Sequence, residues 1–233
     1  MGSFDGVHGG HRVLLERVKQ RAHSIGGESV VLTFHPHPRY VLGTADGMKL
    51  LSTLDEKIWL LEQMGIDNMI VIPFTTEFSR TSPEDFLQQS IAPLGIKWLI
   101  VGYNHRFGYR KQGDYSFLEG REDSLNIEMV EQQQISASKV SSTVIRGVVG
   151  AGEMSMAKQL LSHPYIILCN TDSSGNIKPI DENKLLPPAG VYNVIVGDRA
   201  GRLEIKNNRE LVLNIDNEPS KACNSEQIII HIK

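Results

Sequence analysis

The chain opens on Gly2-Ser3-Phe4-Asp5-Gly6-Val7-His8-Gly9-Gly10-His11 and passes straight into a helical pattern. Glycines let a backbone approach a ligand closely, and the free amides at a helix start favour anions. His8 and His11 stand three residues apart and project to one side. From there they can donate hydrogen bonds to a triphosphate and to the charge that develops as pyrophosphate departs. Such chemistry needs no nucleophilic side chain. The plainer alternatives are a tight glycine-rich loop or part of a metal site, but two histidines without a third ligand nearby make a poor zinc site. A second cluster, Lys139-Val140-Ser141-Ser142-Thr143-Val144-Ile145-Arg146, sets three hydroxyls at a helix start and an arginine one turn in. Hydroxyls and amides there cradle phosphate oxygens, and Arg146 adds a forked positive charge. Alone, the hydroxyls read as helix caps. Beside the first motif they complete a phosphate site.

These residues need elements to hold them. Arg12 to Ala22 has helical spacing, Ser29 to Phe34 reads as a buried strand, Asp55 to Met64 as a helix and Met69 to Ile72 as a short strand. Ser82-Pro83-Glu84-Asp85 starts a further helix running to Ile91, with proline at its first position and acids in its first turn. Trp98 to Val101 and Ile127 to Val130 read as strands, and Ser141 opens a helix whose apolar face holds Val144, Ile145 and Val148. Strands alternating with helices predict an α/β fold with a parallel sheet. After about Leu161 the chain changes to Pro, Gly, Asn and Asp turns between runs such as YIIL, VYNVIV, LEI, LVLNI and IIIHI, the habit of a small all-β domain. The expected domains are 1–158 and 159–233.

Composition limits the partners. Lys plus Arg number 24 against 27 Asp plus Glu, a net charge of -3, so no global attraction draws the chain to nucleic acid or an anionic membrane, and phosphate must be held locally. Cys169 and Cys223 lie far apart and form no CxxC pair, which fits a reducing cytoplasm. No run approaches the roughly 18 apolar residues of a membrane span, and no signal sequence is read at the amino terminus. Small-molecule substrates and a cytoplasmic location are expected.

GSFDGVHGGH and KVSSTVIR resemble the two signature stretches of the HxGH nucleotidyltransferases, and more narrowly those of bacterial FAD synthetases. Three further stretches support the narrower likeness: TFHPHP at 33–38, the helix start containing PEDFL at 83–87, and VGYNHRFG at 101–108 followed by Gly113-Asp114. The resemblance covers about residues 2–150. It implies a Rossmann-like sheet and transfer of AMP from ATP to FMN with magnesium, giving FAD and pyrophosphate. It implies that His8, His11 and Arg146 stabilise the transferring phosphates. Gly2, Phe4, Asp5, Gly6, Ser141, Ser142 and Thr143 would line the ATP site, and Phe34, His37, Pro38, Asn104 and Arg106 would contact FMN. Magnesium is expected on the triphosphate, because no dense carboxylate cluster suggests a protein metal site. The residues allow these roles: prolines form a rigid wall, Phe34 offers a flat apolar face, Asn104 can bond polar edges and Arg106 can face phosphate. The plainer alternative for His35 and His37 is a pair of surface turn histidines, and Phe34 reads equally as core.

Two departures stand out. The resemblance implies a β-strand ahead of GSFDGVH, where this sequence has only Met1, and a start further upstream is expected to raise stability and turnover. The β domain resembles a riboflavin kinase module in LLSHPY (160–165) and KLLPPAGVY (184–192), yet the GxPTAN stretch of active kinases is absent from the residues between them. The expectation is a degenerate riboflavin-kinase-like β-barrel, without kinase chemistry, kept as a structural or oligomerisation domain.

Overall fold

The computed structural model describes residues 1–119, 125–131, 134–135, 138–171, 177–179, 181–216 and 227–233. In chain order the helices are α1 (Gly9–Ser24), α2 (Pro38–Val41), α3 (Leu54–Gln63), α4 (Pro83–Phe86), α5 (Tyr115–Glu119), α6 (Ser142–Gly150) and α7 (Met154–Leu161). The strands are β1 (Val30–His35), β2 (Asn68–Pro73), β3 (Trp98–Gly102), β4 (Asn126–Val130), β5 (Gln134–Ile135), β6 (Ser138–Lys139), β7 (Tyr165–Thr171), β8 (Ile177–Pro179), β9 (Gly190–Val196), β10 (Arg199–Ile205), β11 (Leu211–Ile215) and β12 (Gln227–Ile232). They fall into two compact units. The first is Met1–Ser3, Gly10–Gly47 and Leu61–Gln134, and the second is Phe4–Gly9, Met48–Leu60 and Ile135–Lys233.

The first unit is α/β. β1 runs parallel to β2, from Val30 opposite Asn68 to His35 opposite Pro73, and β3 runs parallel to β4, from Trp98 opposite Asn126 to Gly102 opposite Val130. The parallel pairing read from the strand-helix alternation is present, as two pairs rather than one continuous sheet. The Gly2 amide donates to the Leu32 carbonyl at 3.0 Å, so residue 2 lies along β1. Val31 and Leu32 in β1 and Leu99, Ile100 and Val101 in β3 are all buried, as strands with helices packed over them require. The core joins Leu32, Leu99 and Val101 to Phe86, Ile91, Phe107 and Leu118. Ser82 caps α4 through its side chain, with Pro83 at the first turn, as its sequence signature implies, and the chain continues from Leu87 to Ile91 as a π turn. On α1, Arg17 and Arg21 both reach the Glu128 carboxylate, and the Arg21 guanidinium lies 3.8 Å over the Trp98 ring.

The second unit contains a closed barrel in the order β10-β11-β8-β7-β12-β9. β10 alternates out and in, with Gly201, Leu203 and Ile205 buried, whereas Tyr165 to Cys169 of β7 are buried without a break. Leu203, Ile205, Leu211, Ile230 and Ile232 share one core with Leu51, Val140, Ile145, Val149 and Leu161. The all-β reading beyond Leu161 therefore holds, and the barrel adds β8, which the sequence reading did not mark. α7 was also not marked, although Met154, Ala157, Leu160 and Leu161, all buried, have helical spacing. Cys169 is a buried free thiol, and Cys223 lies outside the described residues.

Candidate active site

In the second unit the phosphate motifs converge on Asp5. The turn before α1 is tight: Val7 donates to the Phe4 carbonyl at 3.1 Å, with φ of 47° at Phe4, 81° at Gly6 and 41° at Val7. A β-branched residue at positive φ is strained, and such strain persists only where surrounding contacts fix it. Those contacts are present. The Asp5 side chain is 2% exposed; its Oδ1 accepts the Ser52 amide at 3.0 Å and its Oδ2 accepts Arg146 Nη2 at 2.5 Å. Ser142 Oγ donates to the Asp5 carbonyl at 3.0 Å, and the Gly6 amide donates to Ser52 Oγ at 2.8 Å. Arg146 Nε donates to the Lys49 carbonyl at 2.9 Å. The loop at 4–9 and the start of α6, more than 130 residues apart in sequence, are thus one hydrogen-bonded assembly.

Each predicted phosphate residue now has a place. Ser141 caps α6, its Oγ accepting the Val144 amide at 3.4 Å, so the cap reading applies to it. Thr143 is exposed in the first turn. His8 immediately precedes α1, and His11 stands in that helix's first turn. Burial lowers the His8 pKa to about 4 against the opposing pull of Asp5, so its imidazole is neutral near pH 7 and donates through one nitrogen at a time. Gly2 belongs to the first unit, beside β1.

Sequence reasoning missed several residues here. Ser52 and Lys49 supply the partners of Gly6, Asp5 and Arg146, and His163 Nε2 lies 3.0 Å from the Gly6 carbonyl oxygen. Lys57, 6% exposed, has its pKa lowered to about 8 by burial, with Asp5 acting in the opposite direction. One available signal was Thr53-Leu54-Asp55-Glu56, the spacing of a capping box. Thr53 Oγ1 does accept the Glu56 amide at 3.2 Å, and Glu56 Oε2 accepts the Thr53 amide at 2.9 Å.

The first unit holds the stretches expected to meet the flavin. Phe34, half-buried near the end of β1, packs in an aromatic cluster with Phe74 at 5.7 Å and Phe78 at 6.0 Å between ring centroids, so it has a packing role of its own. His37 caps α2, its Nδ1 accepting the Arg39 amide at 3.2 Å, and Pro38 takes the first turn. His35 is exposed. Asn104 and Arg106 are both exposed, and Arg106 pairs with Asp114, whose carboxyl is held below its usual range first by the Phe117 amide. The intervening His105 is largely enclosed, stacks on Phe107 at 5.8 Å and has its pKa lowered by burial to about 3. Gly108 has φ of 71°, and a Cβ there would lie 2.7 Å from Pro83, so the RFG and PED stretches are fitted to each other. Among the described residues no group of three or more His, Cys, Asp or Glu is placed to hold a metal ion, and no helix is long and apolar enough to cross a membrane.

Residues 1–144 match the family model described as FAD synthetase. The bifunctional riboflavin kinase/FMN adenylyltransferase of Listeria monocytogenes is 34% identical over 207 residues, covering 83% of this chain and 66% of that relative. Its Bacillus subtilis counterpart is 32% identical over 206 residues, covering 83% and 65%. The chain thus spans about two thirds of the length of these relatives. A protein named FAD synthetase, also from Listeria monocytogenes, is 28% identical over 222 residues, covering 92% and 86%. A solved structure described as a macrolide-efflux protein from Streptococcus pneumoniae aligns with a TM-score of 0.85 at 21% identity, covering 100% of this chain and 82% of that one, which speaks for the fold alone. The family match runs from the loop before α1 through the hydroxyls at the start of α6, and over that length the chain belongs to the FAD synthetase family.

Proposed function

We propose that this chain is an FMN adenylyltransferase, transferring AMP from ATP to FMN and releasing pyrophosphate. The observation that carries the reading is the assembly around Asp5, in which a strained glycine-bearing loop and the start of α6 are held together by Arg146, Ser142 and Ser52. A loop fixed in this way needs no rearrangement to present its amides and imidazole to phosphate, and preorganised donors are most effective against charge that develops during reaction.

In the proposed mechanism a phosphate oxygen of FMN attacks the α-phosphorus of ATP in line. The bond to the bridging oxygen breaks, and pyrophosphate leaves with the electron pair. No covalent enzyme intermediate forms, so positioning and charge neutralisation supply the rate. His8 and His11 donate hydrogen bonds to the departing phosphates, and Arg146 with the residue 141–143 hydroxyls stabilises the same charge. Phe4, Asp5, Gly6 and Gly2 shape the loop that receives ATP. Phe34, His37, Pro38, Asn104 and Arg106 hold FMN, with Arg106 exchanging Asp114 for the flavin phosphate. Magnesium bound to the triphosphate would offset its charge, and the Asp5 carboxylate, already bonded to Arg146 and Ser52, would not be its ligand. Residues 1–158 carry this chemistry in the cytoplasm, and the barrel at 159–233 is retained without kinase activity.

The test is incubation of the purified chain with magnesium and ATP plus either FMN or riboflavin, with the flavins separated by chromatography. FAD from FMN, with riboflavin untouched, is the expected result. FMN or FAD from riboflavin would show that the barrel is an active kinase, and no product from either would overturn the reading.

A further inference from the structure

We propose that the barrel positions the ATP loop through Lys184, which makes Lys184 a positioning residue for nucleotide binding; this rests on the adenylyltransferase reading above. Lys184 and Glu56 are each 0% exposed, with Nζ 2.6 Å from Glu56 Oε2. Nζ also donates to the Leu51 carbonyl at 2.7 Å and lies 4.1 Å from the centre of the Tyr165 ring. Glu56 Oε1 accepts the Leu168 amide of β7 at 2.8 Å. Beside these side chains the backbones pair: Leu50 donates to the Asn183 carbonyl and Leu185 to the Leu50 carbonyl, both at 2.8 Å.

Residues 49–53 are therefore gripped from two sides. The barrel segment 183–185 holds Leu50 and Leu51, while Lys49 and Ser52 hold Arg146, Asp5 and Gly6. Moving the Leu51 carbonyl would move the Ser52 amide and hydroxyl, on which the Asp5 carboxylate and the Gly6 amide depend. A buried ion pair is a poor source of stability, since an apolar pair of similar volume often serves as well. What Lys184 adds is a directed bond that fixes the register of the strut against the barrel, and Met, similar in length, cannot donate it.

Lys184→Met, with Mg·ATP and FMN affinities measured separately by calorimetry, tests this. The lost charged hydrogen bond to the Leu51 carbonyl is transmitted to the loop through Ser52, so ATP affinity should fall about ten-fold while FMN affinity stays within about two-fold. Leu203→Ala, a deletion in the barrel core, controls for destabilisation: measured where both variants are folded, it should leave ATP affinity unchanged. Lys184→Met strands the Glu56 carboxylate, and if it does not fold, Lys184→Met/Glu56→Gln removes that charge while keeping the Leu51 bond absent. Wild-type ATP affinity in either folded variant, or an equal loss in Leu203→Ala, would overturn the proposal. Wild-type protein that binds ATP but makes no FAD would refute the functional reading and leave the Lys184 comparison standing. Wild-type protein that binds no ATP would overturn both.

Discussion

Arg146→Met should cost the fold more than a surface arginine would. Arg146 meets a carboxylate that is 2% exposed and that, with the guanidinium gone, is left with the Ser52 amide and the attraction of the buried Lys57. Removing one partner of a buried pair costs about 3–5 kcal/mol, because the remaining charge stays desolvated. The Lys49 carbonyl also loses its donor at 2.9 Å, a loss of about 1 kcal/mol that falls within the same range. For a chain of this size each kcal/mol moves the melting temperature by about 2–4 °C, so the variant should melt roughly 6–20 °C lower. Asp5→Asn in the same chain removes the stranded charge, while its amide oxygen can still accept Ser52, and the double variant should recover at least half of the lost stability. It should not recover turnover, since the arginine assigned to the phosphates is still missing. Urea titration followed by circular dichroism gives the free energies, and FAD formation gives the rates. A single variant within about 1 kcal/mol of wild type, or a double variant no more stable than the single, would refute the argument that Arg146 compensates a buried Asp5.

Acid should weaken the fold through His8. Its folded pKa of about 4 lies below the free value of 6.5, so between those values the unfolded chain holds a proton that the folded chain lacks. Its contribution is complete above about pH 6.5 and declines towards pH 4 by about 3 kcal/mol, and His8→Gln should flatten that part of the urea midpoint against pH; an unchanged slope would contradict burial of a neutral imidazole. Gly108→Ala would place a Cβ 2.7 Å from Pro83 at a φ of 71°, and a loss of about 2 kcal/mol is expected in thermal melts, with less than about 0.5 kcal/mol showing that the contact yields. Arg106→Ala should raise KM for FMN about ten-fold or more, the value of one charged hydrogen bond, and leave KM for ATP unchanged; equal changes in both would remove Arg106 from the acceptor site.

Much of the fold was legible because its signals are local. Ser82-Pro83-Glu84-Asp85 carries a cap, a proline and two acids in four residues, and α4 starts there. The short apolar runs read at 29–34 and 98–101 are β1 and β3, each within one residue of its observed bounds. α7 was passed over because Gly150, Ala151 and Gly152 precede it and its only acidic cap, Glu153, makes no side-chain capping bond. The site was legible in its two motifs and not in what joins them. Ser52 and Lys49 reach their partners across 46 and 97 residues, and nothing in a one-dimensional period announces such contacts. Glu56 shows the limit most clearly. As a capping-box residue it was readable, yet its burial against Lys184, 128 residues away, depends on a barrel whose closure is non-local.

That pattern bears on why the barrel is there. The stretches by which it resembles a kinase module, LLSHPY and KLLPPAGVY, contain the side chains that face the strut and the loop. His163 sets Nε2 3.0 Å from the Gly6 carbonyl oxygen and Nδ1 2.8 Å from that of Pro164, so a neutral ring can donate to only one of them. Tyr165 donates its hydroxyl to the Leu185 carbonyl at 2.7 Å, which holds the segment carrying Lys184. Within this unit, barrel and strut share one core through Leu51, and hydrogen bonds with Ser52 and His163 tie the loop to both. The barrel can vary wherever it touches only solvent, but at His163, Tyr165 and Lys184 it backs the loop at 4–9 and the strut at 49–53, and under the proposed adenylyl transfer those positions are constrained by the chemistry of that loop.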